Sequence, residues 1–378
     1  MKFVVTIDSF KGSLSSVEAG NAVKEAILRV FNDADVVIKP LADGGEGTTD
    51  VLASYNKSLC VDISVCGPLM KPVKSKYYIT NDNTAIIEMA SASGIELISE
   101  NERNPLNATS FGVGELISDA INKGCRKFII GIGGSATNDG GTGMLSALGY
   151  EFLDSNNKKI PLGAKGLETL RKINISNINP ELKNCEFIVA CDVKNPLCGK
   201  NGATAVFGPQ KGVSGEMIPV LDGWLKNYAE ISGCLFESDN SDVAGAGAAG
   251  GLGFAFATFL NAKLCSGIDI IIKETNIENE IKDADYVITG EGRLDSQTVM
   301  GKAPIGIAQI AKKYGKKVIA FSGCVSDDAE ICNDYGIDAF FPILRNITSY
   351  NEAMNKQNAY KNLINTAYQV LRLIKTGE

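Results

Sequence analysis

Apolar residues along this chain come in short runs that stop at glycine and acid. Lys2 to Ile7 (KFVVTI) is apolar and β-branched, which predicts a strand ending at Asp8. Ser15-Ser16-Val17-Glu18 has the S-x-x-E spacing of a capping box, and an apolar helix is expected from there to about Phe31. Asp35 to Pro40 repeats the strand pattern, Ala42 to Thr48 reads as a loop, and Thr49 to Ser54 opens another helix. From about Lys57 the texture changes. Leu59 to Val65, Val73 to Thr80 and Thr84 to Met89 are strand-like runs with room only for turns between them, which predicts an antiparallel patch and a new domain. Thr109 to Lys123 reads as a helix, and Lys127 to Gly131 and Glu186 to Cys191 read as strands. Asp285 to Thr289, a helix opened by Pro304 and the strand Lys317 to Phe321 make a βαβ unit. Leu363, Ala367, Val370, Leu371 and Ile374 fall at helical spacing in an amphipathic tail.

At 378 residues, against a prior of about 150 per domain, the chain is expected to form two domains. The pattern predicts an α/β protein with a doubly wound parallel sheet built from both chain ends, residues 1–56 and 285–378. A second α/β domain with mixed or antiparallel strands, residues 57–284, is inserted between them, and ligand is expected in the cleft between the two. No fixed-period repeat or low-complexity segment argues for a solenoid. Apolar residues make up 44% and charged residues 21%, enough for a large core under an ordinary polar surface. With 37 basic and 44 acidic residues the net charge is −7, and no Lys or Arg stripe could follow a nucleic-acid backbone. The 10 cysteines are scattered without C-x-x-C spacing or a signal peptide at the start, so they read as reduced, mostly buried thiols of a cytoplasmic protein. Ala244 to Leu260 is uncharged, but its glycines and its 17 residues argue for a buried helix behind a glycine turn rather than the ~20 apolar residues of a membrane span.

Chemistry concentrates in five islands: Asp8 to Leu14 (DSFKGSL), Ala42 to Thr48 (ADGGEGT), Gly131 to Gly143 (GIGGSATNDGGTG), Cys191 to Gly212 (CDVKNPLCGKNGATAVFGPQKG) and Gly290 to Lys302 (GEGRLDSQTVMGK). Glycine brings backbone N–H groups close to a ligand, while Asp, Glu and Lys supply metal ligands, a base and phosphate partners. There is no histidine, which removes imidazole zinc sites and histidine base chemistry together. No Walker A loop is present, because Gly301-Lys302 is followed by Ala303. Gly131 to Ala136 and Gly245 to Gly250 match dinucleotide fingerprints. The first is followed by an extended polar loop instead of a helix, and the second lacks a convincing preceding strand. Lys11 reads as a solvated loop lysine or an anion contact ahead of a capped helix, and Asp43 and Glu46 as turn acids or metal ligands. Ser135, Asn138 and Asp139 read as ligand contacts or as Asx-type turn residues. Asp192 ends an apolar strand, which favours a metal ligand or base. Glu291, Asp295, Gln297 and Lys302 form a polar loop, and Arg103 is a surface arginine or a bidentate carboxylate holder.

DSFKGSLSS (8–16), PLADGGEGT (40–48), RNPLNATSFGVGELI (103–117), GIGGSATNDGGTGM (131–144), ACDVKNPLCGKNGATAVFGPQKG (190–212), GAGAAGGLG (245–253) and GEGRLDSQTVMGKAP (290–304) together resemble the type-1 glycerate kinase family, in the family's order. The resemblance implies a flavodoxin-like domain with a second α/β domain, acting on D-glycerate with ATP and Mg2+. It also implies a phosphoglycerate product, with 2-phosphoglycerate favoured and 3-phosphoglycerate the other assignment. Within that frame Lys11 and Lys302 are expected on phosphoryl oxygens, Asp43, Glu46 and Asp295 on magnesium, and Asp192 as the group that accepts or positions the acceptor hydroxyl. Gly133, Gly134, Ser135, Asn138, Asp139, Asn195, Gly292 and Gln297 are expected around substrate or phosphate, with Arg103 and Arg293 competing for the glycerate carboxylate. Competing readings are an NAD(P)-dependent oxidoreductase and a non-catalytic sugar-acid sensor. No nucleic-acid or membrane partner is expected, and a homo-oligomer is compatible with the sequence.

Overall fold

The computed structural model describes residues 1–42, 48–55 and 58–377. The chain divides into two compact units, Met1–Asp43 with Ile268–Glu378, and Gly44–Gly267. The sequence reading set the junctions at 56/57 and 284/285. The first falls earlier because the helix Thr48–Tyr55 packs on the strands Pro72–Ile79 and Thr84–Glu88 of the middle segment. The second falls earlier because the helix Ile277–Lys282 packs on the helix Ala303–Lys313 of the terminal unit.

In the terminal unit five parallel strands lie in the spatial order Asp35–Ile38, Lys2–Ile7, Tyr286–Leu294, Lys317–Val325, Ala339–Pro342. Counted along the chain this is 2-1-3-4-5, the flavodoxin-like order of a doubly wound sheet. The helix Ser16–Val30 starts at a completed capping box: the Glu18 N–H donates to Ser15 Oγ, and the Ser15 N–H donates to the Glu18 carboxylate at 3.1 Å. Its buried positions Ala19, Val23, Ala26 and Ile27 join Phe3, Val5 and Ile7 of the first strand and Leu363, Ala367 and Leu371 of the helix Lys356–Thr376 in one cluster. Each large apolar side chain buried there stabilises the fold by roughly 1.5–3 kcal/mol.

The strand expected to end at Thr289 runs on to Leu294, with Glu291 opposite Ser322 and Arg293 opposite Cys324. The fifth island is therefore half strand, which corrects the reading of it as a loop. The neighbouring strand, Lys317–Val325, is itself longer than its apolar run and supplies the ladder partners that polar Glu291-Gly292-Arg293 could not advertise.

The middle unit holds a six-stranded mixed sheet. Lys263–Cys265, Glu186–Ala190, Lys127–Gly131 and Thr84–Glu88 run parallel, and Pro72–Ile79 and Leu59–Cys66 add antiparallel strands at one edge. The expected antiparallel patch is thus an extension of a parallel sheet. Phe128, Ile130, Phe187 and Val189 pack with Val113, Leu116 and Ile117 of the helix Phe111–Asn122 and with Leu252, Phe254 and Phe256 of the helix Ala248–Phe259. All 10 cysteines are free, but only Cys125 and Cys332 are buried, so the expectation of mostly buried thiols is corrected. Among the described residues no helix is long and apolar enough to cross a membrane.

Candidate functional site

In a doubly wound sheet the ligand position is the carboxyl end of the strands where the winding reverses. Here that is the end of the strand pair Ile7/Gly290. A pocket of about 280 Å³ lies at this point, lined by Asp8, Ser9, Lys11, Glu291, Gly292, Arg293 and Lys302. Asp8 is buried, and its Oδ1 accepts from the Ser9 N–H at 2.6 Å. Lys11 sits exposed on a tight loop closed by the Phe10 N–H to Leu14 carbonyl bond at 2.8 Å and the Leu14 N–H to Phe10 carbonyl bond at 3.1 Å. The loop needs Gly12 at φ +81°, where a Cβ would also meet the Met354 methyl at 2.4 Å.

Opposite the loop, Glu291 is buried and accepts from the Thr298 hydroxyl at 2.7 Å. Burial pushes its pKa up, against the pull of Thr298 and Lys302. Lys302, the N-cap residue of the helix Ala303–Lys313, reaches Glu291 at 3.5 Å and Asp295 at 3.7 Å. Arg293 Nε lies 3.4 Å from Asp295 and is well exposed. Gln297 faces Asp295 through its backbone, its N–H donating to Asp295 Oδ1 at 3.0 Å, with its side chain exposed. Cationic heads, a helix N-terminus and partly buried carboxylates thus share one pocket, the inventory for holding phosphoryl groups.

Magnesium bound with phosphates usually takes one or two carboxylates plus phosphate oxygens and water. Asp8, Glu291 and Asp295 fit that donor set. Among the described residues no group of three or more carboxylate or thiol side chains converges into an all-protein metal cage. Asp43 and Glu46 lie outside the described residues.

The middle unit presents a different structure. The loop after the strand Lys127–Gly131 has an accessible rim at Gly133 and Gly134 and descends at once, with Ser135 only 6% exposed and Thr137, Asn138 and Asp139 at 0%. Asp139 is a structural anchor. Its carboxylate accepts from the Ser110 N–H (2.8 Å), the Ser110 hydroxyl (2.9 Å), the Gly141 N–H (3.1 Å) and the Gly143 N–H (3.3 Å). Burial raises its pKa against those bonds. Asn138 donates to Thr204 Oγ1 at 3.0 Å while its Oδ1 is buried with no partner among the described residues.

Beneath the rim lies Lys211, 2% exposed, donating to Ser135 Oγ and to the Thr137 carbonyl, both at 2.7 Å. Burial pushes its amine down to about 7, with Asp139 opposing. Nothing in the run Gly208-Pro-Gln-Lys211-Gly marks this lysine as buried, and sequence reasoning gave it no role. Asp8 and Glu291 stood inside quoted islands but were also given no role; their position at strand ends was the available signal.

Asp192 follows the strand Glu186–Ala190 and accepts from the Gly267 N–H at 2.9 Å. Asn195 bonds the Asn201 carbonyl at 2.7 Å, and its own carbonyl accepts from the Gly247 N–H at 2.9 Å, so it ties a loop. Arg103 reaches Glu100 at 3.7 Å, and its Nε is buried with no hydrogen-bond partner among the described residues. The second dinucleotide-like run packs on protein instead of a pyrophosphate. At Gly250, φ +68°, a Cβ would stand 2.0 Å from the Thr137 carbonyl, and the Gly250 carbonyl accepts from the Gly140 N–H at 2.9 Å.

A flavodoxin-like sheet with cations and acids gathered at its winding reversal belongs to the α/β enzymes that handle phosphorylated ligands. A profile of the glycerate kinase family matches residues 3–375. The chain is 46% identical to a glycerate kinase of Haemophilus influenzae over 375 residues, 99% of each protein. It is also 46% identical to the glycerate 2-kinase of Escherichia coli K12 over 378 residues, 100% of this chain and 99% of that protein. A crystal structure of a protein assigned as glycerate kinase 2 from Salmonella typhimurium LT2 superposes with a TM-score of 0.91 at 45% identity, covering 100% and 99% of the two chains. The chain belongs to the glycerate kinase family.

Proposed function

We propose that this chain transfers the γ-phosphoryl group of ATP to the 2-hydroxyl of D-glycerate, giving 2-phosphoglycerate and ADP in the cytoplasm. The observation that carries this is the Lys11, Arg293, Lys302 and Glu291 pocket at the winding reversal, in a chain similar from end to end to glycerate kinases. Preference for the 2-hydroxyl over the 3-hydroxyl rests on the likeness to a relative named glycerate 2-kinase.

Phosphoryl transfer leaves the protein mainly positioning and charge stabilisation to do. Lys11 and Lys302 neutralise phosphoryl oxygens, assisted by the amides opening the helix Ala303–Lys313. Glu291 and Asp295, with Asp8 lining the same pocket, would hold magnesium directly or through water, and the ion would supply positive charge against the phosphoryl groups. Residues of the middle unit take the acceptor: Gly133, Gly134 and Ser135 donate to the acid, Arg103 balances its charge, and Asp192 accepts or orients the proton of the attacking hydroxyl. Asp139 serves by fixing the loop that carries Ser135.

A coupled ADP assay with Mg2+, ATP and a panel of small hydroxy acids tests this, with the product read by 31P NMR. D-glycerate is expected to give the highest kcat/KM and a 2-phosphate resonance. No ADP above the ATPase background with D-glycerate overturns the activity, and a 3-phosphate product overturns the position. In the same assay Asp192→Asn is expected to lower turnover strongly at unchanged ATP KM, and an unchanged rate removes Asp192 from the reaction.

A further inference from the structure

A lysine in a protein interior is costly unless its charge is matched. Lys211 is satisfied in hydrogen bonds, but by neutral groups, the Ser135 hydroxyl and the Thr137 carbonyl. Asp139 acts on it only through space. The bond to Ser135 has a directional consequence. With the amine protonated, the serine oxygen accepts from Lys211 and the hydroxyl proton points elsewhere; among the described residues it donates to no protein acceptor. Ser135 adjoins the exposed Gly134 and half-exposed Gly133, so the rim is the direction left to that proton.

The backbone of a second basic residue, Arg103, lies against the segment that carries Lys211. At Gly212, the residue after Lys211, a Cβ would stand 2.4 Å from the Arg103 carbonyl, which fixes the two chain segments against each other. Among the described residues Arg103 Nε is buried without a hydrogen-bond partner, as are Thr137 Oγ1 and Asn138 Oδ1. Among the described residues the carboxylate in an ion pair with Arg103 is that of Glu100, which is exposed and lies 3.7 Å from Nη1. A buried lysine behind an outward-donating hydroxyl, an open glycine rim and an arginine on the adjoining segment make a place for a small anion.

We propose that Lys211 is a positioning residue for the acceptor acid, holding Ser135 so that the serine hydroxyl donates to the carboxylate of glycerate while Arg103 balances its charge. This rests on the kinase reading above. The Lys211 amine never touches the substrate; when protonated it sets which way the Ser135 proton faces. Its lowered pKa agrees with a site kept dry for that purpose.

The test is steady-state kinetics with ATP and D-glycerate varied separately, on the wild type, Ser135→Ala, Ser135→Thr, Lys211→Met and the Ser135→Ala/Lys211→Met double variant, each checked by thermal melting. Ser135→Ala and Lys211→Met are expected to raise the glycerate KM by about tenfold or more, the loss of one hydrogen bond to a charged group. The ATP KM is expected to stay within about twofold, and Ser135→Thr, which keeps the hydroxyl, to recover most of the loss. The double variant is expected to be no worse than Lys211→Met alone, because both remove the same contact. A rise in ATP KM instead assigns the pair to nucleotide phosphate and overturns the proposal. Altered melting with an unchanged glycerate KM makes the pair structural and overturns it as well. If Lys211→Met does not fold, the contrast between Ser135→Ala and Ser135→Thr decides alone. A wild type inactive on glycerate overturns the kinase reading and this inference together, whereas an active wild type with unaffected variants overturns only the inference.

Discussion

At the strand ends of the terminal unit, Lys11 and Arg293 are exposed and Lys302 is 32% exposed at its side chain, around two buried acids, Asp8 and Glu291. In the middle unit Lys211 is 2% exposed, Asp139 is fully buried, and their contacts are hydrogen bonds of 2.7 to 3.3 Å within protein. Long contacts, such as 3.5 and 3.7 Å from the partly exposed Lys302 to its two acids, are loose and add little stability. They leave cations free to move onto a multiply charged ligand. Short bonds in a dry interior fix geometry and cost much to break. A triphosphate needs charge that can follow it, while a three-carbon acid with two hydroxyls needs donors that stay put.

The sharpest way to break this contrast is Asp139→Ala. It strands the Ser110, Gly141 and Gly143 N–H groups in the interior, and urea denaturation is expected to show a loss of roughly 3 to 5 kcal/mol. A loss under about 1 kcal/mol would mean that the loop is not anchored as described. On the other side, Lys302→Met is expected to lower kcat by about a hundredfold, since a charge on the transferring group is removed, while the melting temperature hardly moves. Comparable losses of stability in both variants would erase the distinction between the regions.

The finest test is pH. Lys211 has a folded pKa of about 7 against an ordinary value of 10.5, so between those values the unfolded chain binds the extra proton and stability must rise with pH. Its unfavourable contribution is complete below pH 7 and gone above 10.5. The stability of the wild type relative to Lys211→Met is therefore expected to increase over this interval, by at most roughly 1.4 kcal/mol per pH unit. Asp139, the titratable group facing Lys211, is common to both proteins and cancels to first order. A flat difference from pH 7 to 9 would show that the lysine is hydrated.

Much of the frame was legible locally. Lys127–Gly131 was bounded to the residue, and the capping box at Ser15 and Glu18 marked the start of the helix Ser16–Val30. The helical spacing of Leu363, Ala367 and Leu371 gave the closing helix, and the ordered motifs gave the family. The site was legible as islands rather than as contacts. Lys11, Asp295 and Lys302 do line or adjoin one pocket. Asn138 and Asp139, expected around ligand, are instead fully buried. The extension of a strand through Glu291 and Arg293 was hidden because polar residues and glycine carry no strand signal without their ladder partners.

What the sequence determined by itself are properties that depend on near neighbours: periodicity, caps, turn-forming glycines and the exclusion of histidine chemistry. Only the tertiary structure decided that Lys211 lies under Ser135, 76 positions away, and that Gly250 backs onto Thr137 rather than onto a nucleotide. The physical reason is that burial belongs to the assembled fold. A lysine followed by glycine reads the same in solvent or in a core, and what separates the two, the loss of water around its charge, is set by segments that meet only once the chain has folded.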